Sequence, residues 1–285
     1  MEITTWGDAV DYTFRTRHSW RHGSGAKAAR INTNHFSRLR GLSQPVDQIN
    51  NALMTLVCIE LEDEGKSDAT INRIVSSVSC ALNHCAFDEL IPNPSKFRRR
   101  EEGEGRSLYF TKDEVAQLCA GAVDPFQRYD LRDVINFAAY TGLRRGEILK
   151  LKAKDVDLTE GLIHVGGRPD VETKAKNYRA VPIHTHLFEM LARRTDSVGQ
   201  SVAIFGDEWE DGFQLLRVFQ KVQRYVGIDL NKVFHSLRHS FGSWHAASGT
   251  DIRTIMYLMG HKRIETTLRY AKVGDKMLKL AMTNI

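Results

Sequence analysis

Apolar positions in this chain recur mostly at three- and four-residue intervals, the spacing that gathers them on one face of a helix. The clearest stripe is Ile71, Ile74, Val75, Val78, Leu82 and Cys85, opened by Asp68-Ala69-Thr70. Asn72, Arg73, Ser76, Ser77 and Ser79 fall off that stripe, toward water or an acidic partner. Trp6, Val10 and Phe14 start an earlier amphipathic segment, and Leu53, Leu56, Val57 and Leu61 predict a helix from about Val46 to Glu64, with Gly65 just past its end. Between them, Arg15 to Arg40 is rich in Arg, His, Lys, Ser and Asn. Its His22-Gly23-Ser24-Gly25 reads as a basic loop suited either to phosphate contact or to plain solvation. Pro92 and Pro94 close the helical region, and the charged, glycine-bearing run 98–106 reads as a linker without an apolar anchor.

The second half begins with a capping box, Thr111-Lys112-Asp113-Glu114, and a buried helix face of Leu131, Val134, Ile135 and Ala138. That face leads into Thr141-Gly142-Leu143-Arg144, where Gly142 permits a tight turn and sets Arg144 at the start of the next helix, a place that also favours an anion. The period then changes to two. Val156, Leu158, Ile163 and Val165 flank the turn Thr159-Glu160-Gly161, and Arg179-Ala180-Val181-Pro182-Ile183 makes a later strand. Helices resume at about His184–Arg194 and Phe213–Val226, then from His235 to Ser248 with Gly249 as the stop, then at Ile252–Leu258. The fold expected is mainly α with a small β-hairpin or sheet, in two domains: 1–97 helical, 98–106 linking, 107–285 carrying the chemistry.

Bulk properties exclude little but exclude it firmly. A chain of 285 residues, 42% hydrophobic and 26% charged, has enough apolar side chains for a sizeable core. No apolar run is long enough to span a bilayer, and the N-terminal residues carry no signal-peptide pattern, so a cytoplasmic protein without membrane contact is expected. The four cysteines, at 58, 80, 85 and 119, form no CxxC pair and read as reduced thiols. A net charge of +5 permits an acidic partner such as DNA without demonstrating one.

Chemistry concentrates in His235-Ser236-Leu237-Arg238-His239, Gly260-His261 and Tyr270, with Arg144 and Lys174 upstream. Arginine presents a planar fork of donors that fits two phosphate oxygens. Histidine moves protons near neutral pH, and a phenol attacks phosphorus once its proton is taken and the developing charge neutralised. His235 and His239, four apart, raise the question of zinc, but Ser236 stands where HExxH needs its glutamate, so no metal is expected. His239 and His245 read instead as packing or hydrogen-bonding residues.

This set, in this order, resembles the tyrosine recombinase (phage integrase) family. Its motifs match at Arg144 in TGLRRGEI, at the hairpin lysine Lys174 rather than Lys176, at His235 and Arg238 in HSLRH, at His261, and at the terminal nucleophile Tyr270. The resemblance spans roughly 107–285 and continues more weakly upstream. It implies a two-domain DNA clamp, a helical core-binding domain plus a catalytic domain. It implies site-specific recombination of double-stranded DNA through a 3′-phosphotyrosyl intermediate and a Holliday junction, with no cofactor. In that scheme Arg144 and Arg238 clamp the phosphate, Lys174 protonates the leaving 5′-oxygen, His235 takes or orients the tyrosine proton, and His261 donates to a phosphate oxygen. Glu147 braces Arg144. Arg21, Lys27, Arg30, Arg73 and Arg145 are weaker candidates for DNA-backbone contact.

The resemblance further implies a homotetramer on DNA, and the amphipathic tail Lys276–Ile285 either docks into a neighbouring protomer of it or folds back on its own domain. A directionality factor or host DNA-bending protein is a further partner, in a bacterial cytoplasm. Phage or mobile-element integration and excision is the role expected. Because the helical domain begins almost at Met1, without an arm-binding domain ahead of it, a simple recombinase of the chromosome-dimer-resolving type is the alternative. A type IB topoisomerase and a catalytically silent DNA-binding protein of the same fold are the rivals from other classes.

Overall fold

The structure, a computed structural model, describes residues 2–23, 25–103, 108–167, 178–196, 198–209 and 212–271. The chain divides into two compact units, 1–105 and 106–285. Each has its own core.

Five helices build the first unit: α1 (Trp6–Thr16), α2 (His18–Arg21), α3 (Ala26–Arg40), α4 (Asn51–Asp63) and α5 (Asp68–Phe87). Helix α1 starts where Thr5 and Asp8 form a reciprocal cap, each side chain bonding the other's backbone N–H. Helix α5 is the axis. Ile71, Ile74, Val75, Val78, Leu82 and Cys85 are all buried along it, and each large aliphatic side chain so placed is worth roughly 1.5–3 kcal/mol over exposure. Trp6 packs edge-on against Phe36, centroids 4.8 Å apart, and its indole N–H donates to Ser37 Oγ at 2.9 Å.

Three local readings change. The region 26–40, taken as basic and polar, is a regular helix whose buried face is only Ala29, Thr33 and Phe36. In α4 the buried residues are Met54, Val57 and Leu61, whereas Leu56 is 55% exposed. Asn72 does not face solvent. Buried in α5, it accepts from the Arg100 N–H and donates to the Arg100 carbonyl, each at 2.9 Å. The Arg100 guanidinium meets Glu62 and Asp68, and Phe97 just before it is buried. The start of the expected linker is therefore fastened to the helical unit by an amide that satisfies both backbone groups of one residue.

The second unit has helices α6 (Lys112–Val123), α7 (Tyr129–Thr141), α8 (Arg145–Ile148), α9 (Phe188–Asp196), α10 (Gly212–Tyr225), α11 (Ser236–Ala247), α12 (Ile252–Met259) and α13 (Glu265–Leu268) among its described residues. Strands β1 (Val156–Asp157), β2 (Leu162–Val165) and β3 (Arg179–Pro182) form an antiparallel sheet in that order. Ile163 lies opposite both Val156 and Val181, which fixes the register with the apolar side chains on one face. The capping box of Thr111 and Glu114 starts α6 as its spacing predicts. Phe110 is held against α11 from both sides: its N–H donates to Ser240 Oγ at 2.8 Å, and its carbonyl accepts from Trp244 Nε1 at 3.1 Å. The core between α6, α7, α10, α11 and the sheet includes Leu118, Ile135, Phe137, Ile163, Phe219 and Leu237, all fully buried. No described helix is long and apolar enough to cross a membrane.

Candidate active site

The site forms where α7, α11 and α12 bring their ends together. Helix α7 stops at Gly142, whose φ of 63° is left-handed. A Cβ there would also lie 2.6 Å from the Phe241 ring, so glycine is required twice over. The turn delivers Arg144 to the N-cap of α8, where its N–H donates to Glu147 Oε2 at 2.8 Å. The Arg144 guanidinium donates to Glu147 Oε1 and to the Gly260 carbonyl, both at 3.1 Å, and its side chain is 45% exposed.

Arg238, one turn into α11, is buried. Its two terminal nitrogens donate to the Gly142 carbonyl at 2.6 Å and the Met259 carbonyl at 2.5 Å. Burial, and then the neighbouring Arg144 charge, pull its pKa down to about 10, which leaves it protonated at neutral pH.

A third arginine, absent from the sequence-based set, completes the arrangement. Arg179 on β3 is buried, donates both terminal nitrogens to the Glu147 carboxylate (3.1 and 2.9 Å) and its Nε to the Leu258 carbonyl at 2.9 Å. Burial works to raise the Glu147 pKa, but the Arg179 hydrogen bonds and the Arg144 N–H outweigh it and hold the carboxyl at about 2. Glu147 thus ties Arg144 to Arg179. The signal for Arg179 lay in the strand period. It occupies a core-facing position two residues before Val181, and an inward arginine needs a partner.

The histidines and the tyrosine lie alongside. His235 is the residue before α11, with an exposed edge. Partial burial and the charges of Arg238 and Arg144 push its pKa below the ordinary histidine value. His261 follows the left-handed Gly260, bonds Thr267 Oγ1 through Nδ1 at 2.8 Å and lies parallel to the Tyr270 ring at 6.5 Å. Burial first, then Arg238, lowers its pKa to about 4.

Tyr270, just past α13, is 7% exposed and packs with Phe241, Ile255 and Met259. Its ring lies directly on Gly242, where a Cβ would come within 2.8 Å of it. Its hydroxyl is hydrogen bonded to His239 Nδ1 at 2.7 Å. Burial raises the phenol pKa against the pull of Arg238 and Arg269, so the hydroxyl is neutral at pH 7.

The structure therefore brings Arg144, Glu147, His235, Arg238, His261 and Tyr270 to one place and adds Arg179, His239 and Gly242. Lys174 and Lys176 lie outside the described residues, as does the tail Lys276–Ile285. Arg145 turns back to the Gly212 carbonyl at 3.2 Å and is half-buried. In the first unit Arg21, Lys27, Arg30 and Arg73 are exposed, Arg30 with its guanidinium 4.3 Å over the Phe14 ring. Among the described residues no group of three or more His, Cys, Asp or Glu side chains could hold a metal.

The tyrosine recombinase XerA of Thermococcus onnurineus is 29% identical over 229 residues, 78% of this chain and 77% of its own. Among solved structures, the Tn1549 transposon integrase in complex with a circular intermediate DNA superposes with a TM-score of 0.77 at 19% identity, covering 99% of this chain and 100% of that one. A lambda integrase tetramer bound to a Holliday junction gives 0.71 at 20% identity, over 92% and 78%. Residues 109–277 match the model of the phage integrase family. With that match covering more than half its length, the chain belongs to the phage integrase family, the tyrosine recombinases.

Proposed function

We propose that the protein cuts and rejoins double-stranded DNA at specific sites, with Tyr270 as the nucleophile. The observation that carries this reading is the seating of the Tyr270 hydroxyl in the same unit as two arginines, Arg144 and Arg238, fixed by backbone carbonyls. Tyr270 Oη attacks the scissile phosphorus, the P–O5′ bond breaks, and a 3′-phosphotyrosyl link and a free 5′-hydroxyl result. The guanidinium groups of Arg144 and Arg238 neutralise the charge on the non-bridging oxygens, and removing one such preorganised donor costs roughly 3–4 kcal/mol of barrier. A histidine of the site takes the tyrosine proton, the part the resemblance gives to His235, while His261 donates to a phosphate oxygen and Lys174 supplies the proton to the leaving 5′-oxygen. The bond energy is kept in the phosphotyrosine, so the scheme needs neither ATP nor metal.

Strand exchange follows when the 5′-hydroxyl of a partner duplex attacks the phosphotyrosine. The lambda integrase tetramer on a Holliday junction supports a tetramer of this chain on such a junction. Integration and excision of a mobile element is the role proposed, in the cytoplasm of a bacterial host and with an accessory directionality or DNA-bending protein. The likeness to the tyrosine recombinase XerA favours a second reading, a simple recombinase of the chromosome-dimer-resolving type. The exposed Arg21, Lys27, Arg30 and Arg73 make the helical unit the backbone-contacting half. Each phosphate contact removed there flattens the dependence of log affinity on log salt by about 0.9.

The test uses nicked duplexes tiled from the DNA flanking the gene, incubated without metal or ATP. The nick releases the short 5′ fragment and traps the covalent complex, which a denaturing gel displays as a shifted band. A band present in the wild type and lost in Tyr270→Phe is the expected result. Its survival in the variant removes Tyr270 as nucleophile, and DNA binding without any band favours a binding-only protein.

A further inference from the structure

The resemblance gives the tyrosine proton to His235, yet the imidazole hydrogen bonded to the Tyr270 hydroxyl is that of His239. Resting on Tyr270 as nucleophile, we propose that His239 is a further catalytic residue: its Nδ1 holds the Tyr270 hydroxyl in place and receives its proton as the phenol attacks. Three observations carry this. First, Nδ1 is 2.7 Å from Oη, within direct transfer distance. Second, α11 is shaped for this tyrosine over a full turn. His239 takes the hydroxyl, and Gly242, three residues on, leaves the flat floor on which the ring lies, since a Cβ would meet ring atoms at 2.8–2.9 Å. Third, Arg238 and Arg269 both act on Tyr270 as nearby positive charges, which favour the phenolate that develops as the proton leaves.

His239 is neutral at rest. Burial, then His235 and Arg269, hold its pKa down to about 4, so at neutral pH the ring carries one N–H and one bare nitrogen, and it is the negative charge of the attacked phosphate that favours the imidazolium once it forms. The step balances within the site. The Oη–H bond breaks and Nδ1–H forms while Oη–P forms, P–O5′ breaks, and the 5′-oxygen is protonated from the other side of the phosphate. When a 5′-hydroxyl later displaces the tyrosine, the proton returns from His239 to Oη.

Two measurements decide it. In the free protein, long-range ¹H–¹⁵N spectra of histidine-labelled chain give the His239 tautomer. A bare Nδ1 whose signal moves in Tyr270→Phe is expected, and a protonated Nδ1 overturns the proposal whatever DNA is used. In the second, single-turnover formation of the covalent band is compared for wild type and His239→Asn. Asparagine places an amide oxygen near the Nδ1 position and can still accept from Oη, but it is not a base. A fall of roughly 10²–10⁴-fold, the range for general-base catalysis, is expected with DNA affinity unchanged. An Asn variant within about threefold of wild type overturns proton transfer to His239. If instead Tyr270→Phe still forms the band, the nucleophile assignment fails and the role of His239 falls with it. An active Asn variant beside a dead Tyr270→Phe removes His239 alone.

Discussion

The candidate site has a floor and a rim, and they are built differently. On the floor, Arg238 and Arg179 are almost wholly buried, and the hydrogen bonds of Arg238 go to main-chain carbonyls. On the rim, Arg144 is nearly half exposed and shares its carboxylate partner with Arg179. In the proposed reaction both regions contribute to neutralising a phosphate, the floor through Arg238 and the rim through Arg144. The difference is that the floor cannot be altered without also altering the fold, whereas the rim is free to carry function alone. Catalytic importance and structural importance therefore separate along the depth of one site.

Substitutions sharpen this contrast when their effect on stability is ranked. Glu147→Gln is expected to cost the most. It leaves Arg179 buried without its counter-charge, a loss of about 3–5 kcal/mol, read as faster hydrogen exchange at the amides of α7 and α11. Its pH dependence has a definite sign. Because the folded carboxyl sits at about 2, below its ordinary 4.5, its contribution is complete above pH 4.5 and disappears as pH falls toward 2. The stability gap between wild type and Glu147→Gln should close over that window, and a gap constant down to pH 2 would disprove the charged pair. Next comes Arg238→Ala. It strands two carbonyls, at roughly 1–3 kcal/mol each where water does not replace the guanidinium, and should shift the midpoint of urea unfolding accordingly.

Gly242→Ala follows. The added methyl collides with the Tyr270 ring and should cost about 1–3 kcal/mol, while the displaced hydroxyl slows covalent-band formation by about 10²-fold. Arg144→Ala is the control for the rim. Stability should stay within about 1 kcal/mol of wild type, yet cleavage should fall by about 10²–10³-fold. If Arg144→Ala unfolds the unit, or Arg238→Ala leaves its stability untouched, the division into floor and rim is wrong.

Much of this was legible in advance, for reasons that differ by element. The stripe of α5 could be read because six large apolar residues repeat on one face and all are buried. Helix α3 could not, because its core contact is made by Ala29, Thr33 and Phe36, and two of those look polar or neutral in a hydrophobic pattern. Arg144, His235, Arg238, His261 and Tyr270 were recognisable from local motifs, and the structure gathers them. Arg179 was passed over because it sits in a strand between better signals; its inward place in the strand period marks it, but its partner Glu147, 32 residues away, comes only with the fold. His239 was placed among hydrogen-bonding residues, and it is one. Its partner, 31 residues on, depends on how α11, α12 and α13 pack, which no spacing rule gives. Local periodicity predicts elements and faces, while long-range polar partners come only with the fold.

The carbonyls that receive the arginines have one source in common. Leu258, Met259 and Gly260 are consecutive at the end of α12, and each accepts from a different guanidinium: Arg179, Arg238 and Arg144 in turn. Gly142, which shares Arg238, ends α7 in the same way. Two helices thus direct the negative ends of their macrodipoles at a cluster of like charges. Without those carbonyls and the Glu147 carboxylate, three cations so close would repel one another apart. With them, the repulsion is offset in the resting protein, and the cluster stays assembled and charged before any phosphate arrives. An anion entering the site meets cations already gathered and does not have to gather them itself.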